Sequence, residues 1–238
     1  MSAAWLETLD LKGRQGRKEE CPEDRGLPRQ GGWNPEYFAQ EQIRGLVRQV
    51  FFSNGERPVR QVVLSAAEKE TDVRSICRTV GEALAADTAA SVAVVGQYPR
   101  VCHDLATYPE EIARRPARDG RLPLRQIGSR VRSNLWLVPP AGKNGAEIPT
   151  ALVHSYLGEM RQEFEYSIVE GPAALDSHEA TAMAQFSDGI ILVLSAHRTR
   201  RITAHKIKEM LERAQVRVLG TVLCDRMFPI PERIYRHL

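Results

Sequence analysis

Residues 61–74 place a carboxylate-rich loop where a phosphate-binding loop would be built. Gln61-Val62-Val63-Leu64-Ser65-Ala66-Ala67 reads as a buried strand running out into a loop, and an amphipathic helix follows over residues 71–86. Strand, loop, helix is the setting of the phosphate loop Gly-x-x-x-x-Gly-Lys-Ser/Thr, in which backbone N–H groups and a lysine charge surround anionic oxygens. The loop here is Glu68-Lys69-Glu70-Thr71-Asp72-Val73-Arg74. It has no glycine, and Asp72 stands near the position of the lysine. Glu68, Glu70 and Asp72 would repel a triphosphate, and Lys69 has no glycine cradle around it to wrap one.

The other strand ends offer little more. In open α/β sheets ligands bind at the carboxyl ends of strands. Val95-Gly96-Gln97 carries no acid where a magnesium ligand would be useful. Ile168-Val169-Glu170-Gly171-Pro172 ends in a carboxylate; Glu170 suits either a metal-bound water or a plain loop cap. Leu223-Cys224-Asp225-Arg226 has no amide side chain to read a nucleobase. Ser177-His178-Glu179 sets a nucleophile, a base and an acid in consecutive positions. Neighbours on a helix point in different directions, so the trio reads as an N-cap and first turn rather than a relay. The histidines at 103, 154, 197, 205 and 237 are isolated and receive no role. Cys21, Cys77, Cys102 and Cys224 have no C-x-x-C spacing and read as free thiols, and Cys102-His103 is a poor chelate, so no metal site is expected.

These residues need a scaffold, and the chain supplies a regular one. At 238 residues, with 42% hydrophobic and 26% charged residues and a net charge of +3, it is long enough for a real core and makes no demand for nucleic acid. It has neither an apolar run of membrane-spanning length nor a signal-peptide pattern, which makes the cytoplasm the expected compartment. Residues 1–34 hold five glycines, two prolines and balanced charges, and are expected to be a flexible tail; Trp5, Leu6, Leu9 and Leu11 form a small apolar patch within it. Asn34-Pro35 starts a helix whose apolar stripe is Phe38, Ile43, Leu46, Val47, Val50 and Phe51. Residues 35–57 are therefore read as an N-terminal helix and linker, and 58–238 as the core.

From Pro58 onward strands at 61–65, 91–95, 135–138, 166–170, 189–194 and 217–223 alternate with helices at 71–86, 150–163, 177–186 and 200–215. The strands are Val-, Ile- and Leu-rich without polar alternation, as in strands buried on both faces of a parallel sheet. The expected fold is α/β, a doubly wound, mostly parallel sheet flanked by helices. Residues 98–133 weaken the pattern and carry arginines at 100, 114, 115, 118, 121, 125, 130 and 132 against four acids. This is a solvated surface or a contact for an acidic partner or headgroup surface.

Several blocks together resemble the bacterial tyrosine kinases of capsule and exopolysaccharide synthesis, whose fold is a P-loop NTPase-like sheet related to chromosome- and septum-partitioning ATPases. Phe164-Glu165-Tyr166-Ser167-Ile168-Val169-Glu170-Gly171-Pro172 with Leu175-Asp176-Ser177 resembles that family's Phe-Asp-Tyr-Val-Ile-Ile-Asp-Thr-Pro-Pro…Leu-Asp-Ser. Residues 187–194, 198–201 and 218–223 resemble its next strand, helix start and last core strand, and Phe228-Pro229-Ile230-Pro231-Glu232-Arg233-Ile234-Tyr235-Arg236 resembles the tail of some members. Glu41-Gln42-Ile43-Arg44 resembles its Glu-x-x-Arg-x-x-Arg oligomerisation helix, with Val47 at the second arginine position and Arg48 next to it.

Set beside that family, the chain departs from it at each nucleotide position. Residues 68–74, including Glu68, Lys69, Thr71 and Asp72, replace the glycine- and lysine-bearing loop. Gly96 replaces a magnesium-serving Asp, Glu170 the Walker B Asp, and Cys224 the base-reading Asn; the tyrosine cluster shrinks to Tyr235. The resemblance and its departures imply a non-catalytic pseudo-kinase or pseudo-ATPase that takes no cofactor. It would partner a membrane polysaccharide co-polymerase or an active paralogue at the inner membrane, form homo- or hetero-oligomers, and use Glu41, Arg44, Arg48, Arg114 and Arg115 as contacts. The alternatives are an active ATP- and magnesium-dependent tyrosine kinase with an unusual loop, and a partitioning-type positioning ATPase.

Overall fold

The computed structural model describes residues 35–53, 57–96, 123–141 and 149–225. Seven strands form one sheet in the order β3-β4-β2-β5-β1-β6-β7. They are β1 (Gln61–Ala66), β2 (Val92–Val95), β3 (Ser129–Arg132), β4 (Leu135–Val138), β5 (Tyr166–Glu170), β6 (Gly189–Ser195) and β7 (Val218–Cys224). Every neighbouring pair is parallel except β3–β4, which is antiparallel. The helices among the described residues are α1 (Pro35–Phe51), α2 (Val73–Asp87), α3 (Leu124–Ile127), α4 (Thr150–Glu163), α5 (His178–Gln185) and α6 (Arg201–Arg213).

The uninterrupted apolar runs explain the two layers. All six residues of β1 and all four of β2 and β4 are buried, because helices cover both faces. On one face Val62, Leu64, Val94 and Ile168 meet α1 and α2; on the other Val63, Ala93, Val169 and Ile190 meet α4, α5 and α6. The α2 stripe of Val73, Ile76, Cys77, Val80, Leu84 and Ala85 recurs at helical spacing and buries one side of that helix. Gly81 lets it approach closely, since a Cβ there would stand 2.2 Å from Val94 Cγ2. Along α1, Ile43, Leu46, Val47, Val50 and Phe51 are buried, while Phe38 is only half-buried and Ala39 takes the core place beside Ile43.

Two elements differ from the sequence-based expectation. β3 adds an antiparallel edge strand within residues 98–133; its Ser-Arg-Val-Arg pattern lacks an apolar run because only β4 pairs with it. β7 is the opposite edge and only half-buried along most of its length, although its sequence reads like the central strands. The tail 1–34 with the Asn34 cap, Arg114, Arg115 and the segment 228–236 with Tyr235 lie outside the described residues. Among the described residues no helix is long and apolar enough to cross a membrane.

Candidate functional site

The chain leaves β1 through α2 on one face of the sheet and leaves β5 through α5 on the other. Since β1 and β5 are neighbours, their carboxyl ends flank the topological switch point, where open α/β sheets bind ligands. Leu64 pairs with Glu170 in the register, which brings the residues after β1 against the loop 171–177 after β5.

That crevice is occupied by the protein's own loops. Gly171 N–H donates to the Leu64 carbonyl at 2.8 Å, Ala174 N–H to the Ala66 carbonyl at 2.8 Å, and Ser65 Oγ to the Pro172 carbonyl. The loop after β5 therefore lies along the end of β1. Gly171 permits this closeness, as a Cβ there would come within 2.8 Å of Val63 Cγ1.

Asp72, Lys69, Glu170 and Arg74 in the crevice are engaged by the protein's own groups. Asp72 is the N-cap of α2: its carboxylate accepts from Ser75 N–H at 3.2 Å and from Ser75 Oγ at 2.7 Å. A protein carboxylate thus takes the helix N-terminus that a phosphate loop would offer to nucleotide. The helix starts at Val73 rather than at Thr71, and Thr71 is buried in the turn before it. Lys69 Nζ reaches Asp176 Oδ2 at 3.6 Å, linking the two loops, and Glu68 and Glu70 complete the acidic turn. Glu170 receives Arg74 Nε at 3.5 Å, from the first turn of α2. Beneath them, burial first and then the charge of Glu170 push the Cys77 thiol well above its ordinary range, which keeps it a protonated packing group.

The remaining strand ends follow suit. Gly96 N–H donates to the Val138 carbonyl at 3.1 Å, continuing the sheet. Cys224 is buried with Sγ 3.3 Å from the Leu194 carbonyl. Asp225, with a left-handed φ of 57°, accepts from Ser195 Oγ at 3.0 Å. Ser177 Oγ accepts from Glu179 N–H at 3.1 Å as the N-cap of α5, so this serine is a helix cap. Among the described residues no group of three or more His, Cys, Asp or Glu could hold a metal ion.

Away from the crevice, Arg44 pairs with Glu41 at 2.8 Å on the exposed side of α1, and Arg48 reaches Asp87 at 3.9 Å. Two of the described arginines of the 98–133 stretch have local duties. Arg125 stacks on Trp136 and Phe164 and donates to the Glu163 carbonyl; Arg130 lies over Trp136 and donates to the Arg132 carbonyl. The sequence reading missed Arg74 and Asp176 as partners. Helical register puts Arg74 in the first turn of α2, but the carboxylate that it meets lies 96 residues away.

No protein-family model and no curated protein matches the chain. Solved structures do share its fold. The kinase domain of Escherichia coli tyrosine kinase ETK matches with a TM-score of 0.61 at 17% identity, over 81% of this chain and 78% of that one. The chimerical protein CapA2B2 matches with a TM-score of 0.60 at 16% identity, over 79% and 85%. A ParA family ATPase from Chlorobium tepidum matches with a TM-score of 0.55 at 15% identity, over 74% and 78%. The chain therefore has the P-loop NTPase-like fold seen in tyrosine kinase domains and ParA-type ATPases.

Proposed function

We propose that this chain is a non-catalytic relative of the polysaccharide tyrosine kinases, acting as a structural or regulatory partner in exopolysaccharide or capsule assembly. The observation that carries the reading is the crevice between β1 and β5. The charges that would bind a triphosphate are replaced or already engaged: Asp72 caps α2, Arg74 meets Glu170 and Lys69 meets Asp176. Without a lysine at the transferred phosphoryl group, the main electrostatic stabilisation of phosphoryl transfer is lost. The polysaccharide setting is supported by the resemblance of the 164–172 and 228–236 blocks and by the fold shared with tyrosine kinase domains.

On this reading the protein takes no nucleotide and works from the cytoplasmic side of the inner membrane. It contacts a membrane co-polymerase or an active paralogue through surfaces that include Glu41, Arg44 and Arg48, with Arg114 and Arg115 as further candidates. Incubation with ATP and magnesium, followed by mass spectrometry, tests it: no phosphotyrosine is expected. Phosphate on Tyr235 or another tyrosine that disappears in Glu170→Ala would instead support an active kinase. One observation favours that second reading, the position of the Glu170 carboxylate at the switch point beside Leu64.

A further inference from the structure

The first half of α6 and the turn before it carry a concentration of positive charge that no described acidic residue neutralises. Arg198, Arg200, Arg201 and Lys206 are all exposed, and among the described residues none takes part in an ion pair. From Ser195 to Lys208 the sequence contains no Asp or Glu. Asp225, at the end of the adjoining strand, is held by Ser195 Oγ and makes no ion pair with these cations. The second half of the same helix is different: Lys208 pairs with Glu212 and Arg213 with Glu209, each at 3.6 Å. Ile207 and Leu211 bury the inner side of α6, which fixes the outward direction of the basic side.

Ile202 stands among these cations with 65% of its surface exposed. It lies one turn before Lys206 on the same helix face, as Arg201 does before His205. An exposed aliphatic side chain flanked in sequence and along its helix face by cations suits the boundary between headgroups and acyl chains: the cations meet lipid phosphates and the aliphatic group enters hydrocarbon. Phosphates of nucleic acid would satisfy the charges equally, but they leave the isoleucine in water. Residues 195–215 also hold no Phe, Tyr or Trp, the large rings on which single-stranded bases stack best.

We propose that this face of α6 docks directly on an anionic phospholipid surface, with Arg198, Arg200, Arg201 and Lys206 at the headgroups and Ile202 inserted between them. The inference goes beyond membrane association through a partner, and it holds whether or not the β1–β5 crevice binds nucleotide.

Co-sedimentation of the full chain with vesicles tests it. Binding is expected on phosphatidylcholine vesicles containing phosphatidylglycerol, weakening with added salt, and not on pure phosphatidylcholine. Each neutralised cation should weaken binding about fivefold, so Arg200→Gln with Arg201→Gln should cost about 25-fold. Ile202→Ser should weaken it severalfold with the charge unchanged. Lys208→Gln with Arg213→Gln, which removes cations already paired, should stay within about twofold of the wild type. All variants change exposed residues except for the half-buried Lys208, and unchanged circular dichroism and melting confirm folding. The proposal is overturned by no binding to the anionic vesicles, by equal binding to neutral ones, by an unchanged Arg200/Arg201 variant, or by an equal loss in the Lys208/Arg213 variant. Tighter binding to a DNA duplex than to vesicles at the same salt would also overturn it, in favour of nucleic acid.

Discussion

Arg74 Nε lies 3.5 Å from Glu170 Oε2, so the first turn of α2 and the end of β5 are joined by opposite charges across the switch point of the sheet. Both side chains keep some solvent contact, 44% and 22% of their surface, so water screens the attraction. A double-mutant cycle of Arg74→Ala and Glu170→Gln should therefore give a coupling of about 0.5 kcal/mol, lost at high salt. The measurement is urea unfolding of the four proteins. A coupling of several kcal/mol would mean that the pair is far better shielded than its exposure indicates.

Asp72 holds the N-terminus of α2 through Ser75. Asp72→Ala should lower stability by about 1 kcal/mol, and Asp72→Asn by less, because the amide oxygen can still accept from the N–H of Ser75. Denaturant midpoints at constant m-value check both.

Asp188 ties three elements together at the opposite end of the sheet. Its Oδ2 accepts from the N–H groups of Arg60 and Gln61 at 2.7 and 2.8 Å, and its Oδ1 from Arg161 at 2.8 Å. Burial alone would raise its pKa, but the hydrogen bonds from Arg161, Arg60 and Gln61 outweigh it, and the carboxyl is held below the usual range. The folded form therefore binds its proton less readily than the unfolded chain. The stabilisation is complete above the unfolded pKa of about 4 and is lost as pH falls through the lower folded value. Asp188→Asn should cost about 2 kcal/mol at neutral pH and remove part of the acid dependence below about pH 4. Stability curves of the two proteins across acidic pH decide this.

Gly81→Ala should destabilise by about 1–3 kcal/mol despite the better helix propensity of alanine. The new Cβ would meet Val94 Cγ2 at 2.2 Å and force α2 away from β2. The companion variant Val94→Ala in the Gly81→Ala background should recover part of the loss, and thermal melts of both report it.

The central strands were legible because burial on both faces leaves an unbroken apolar run; β4 and β5 occupy the spans that such runs predict, and β1 extends one residue further. β3 was not, because pairing rather than burial holds an edge strand of alternating arginines. The acidic loop after β1 was visible as composition, whereas its partners were not. Arg74 meets Glu170 across 96 positions and Arg161 meets Gln61 across 100. Such pairs follow from the strand order, which brings β5 beside β1, and nothing local in the sequence encodes it.

Isothermal titration of the full chain with ATP and with ADP, each with magnesium, tests the central claim most directly. With the helix N-terminus capped by Asp72 and Glu170 engaged by Arg74, no saturable binding heat is expected at high micromolar protein. A saturable isotherm with a micromolar dissociation constant would contradict the account.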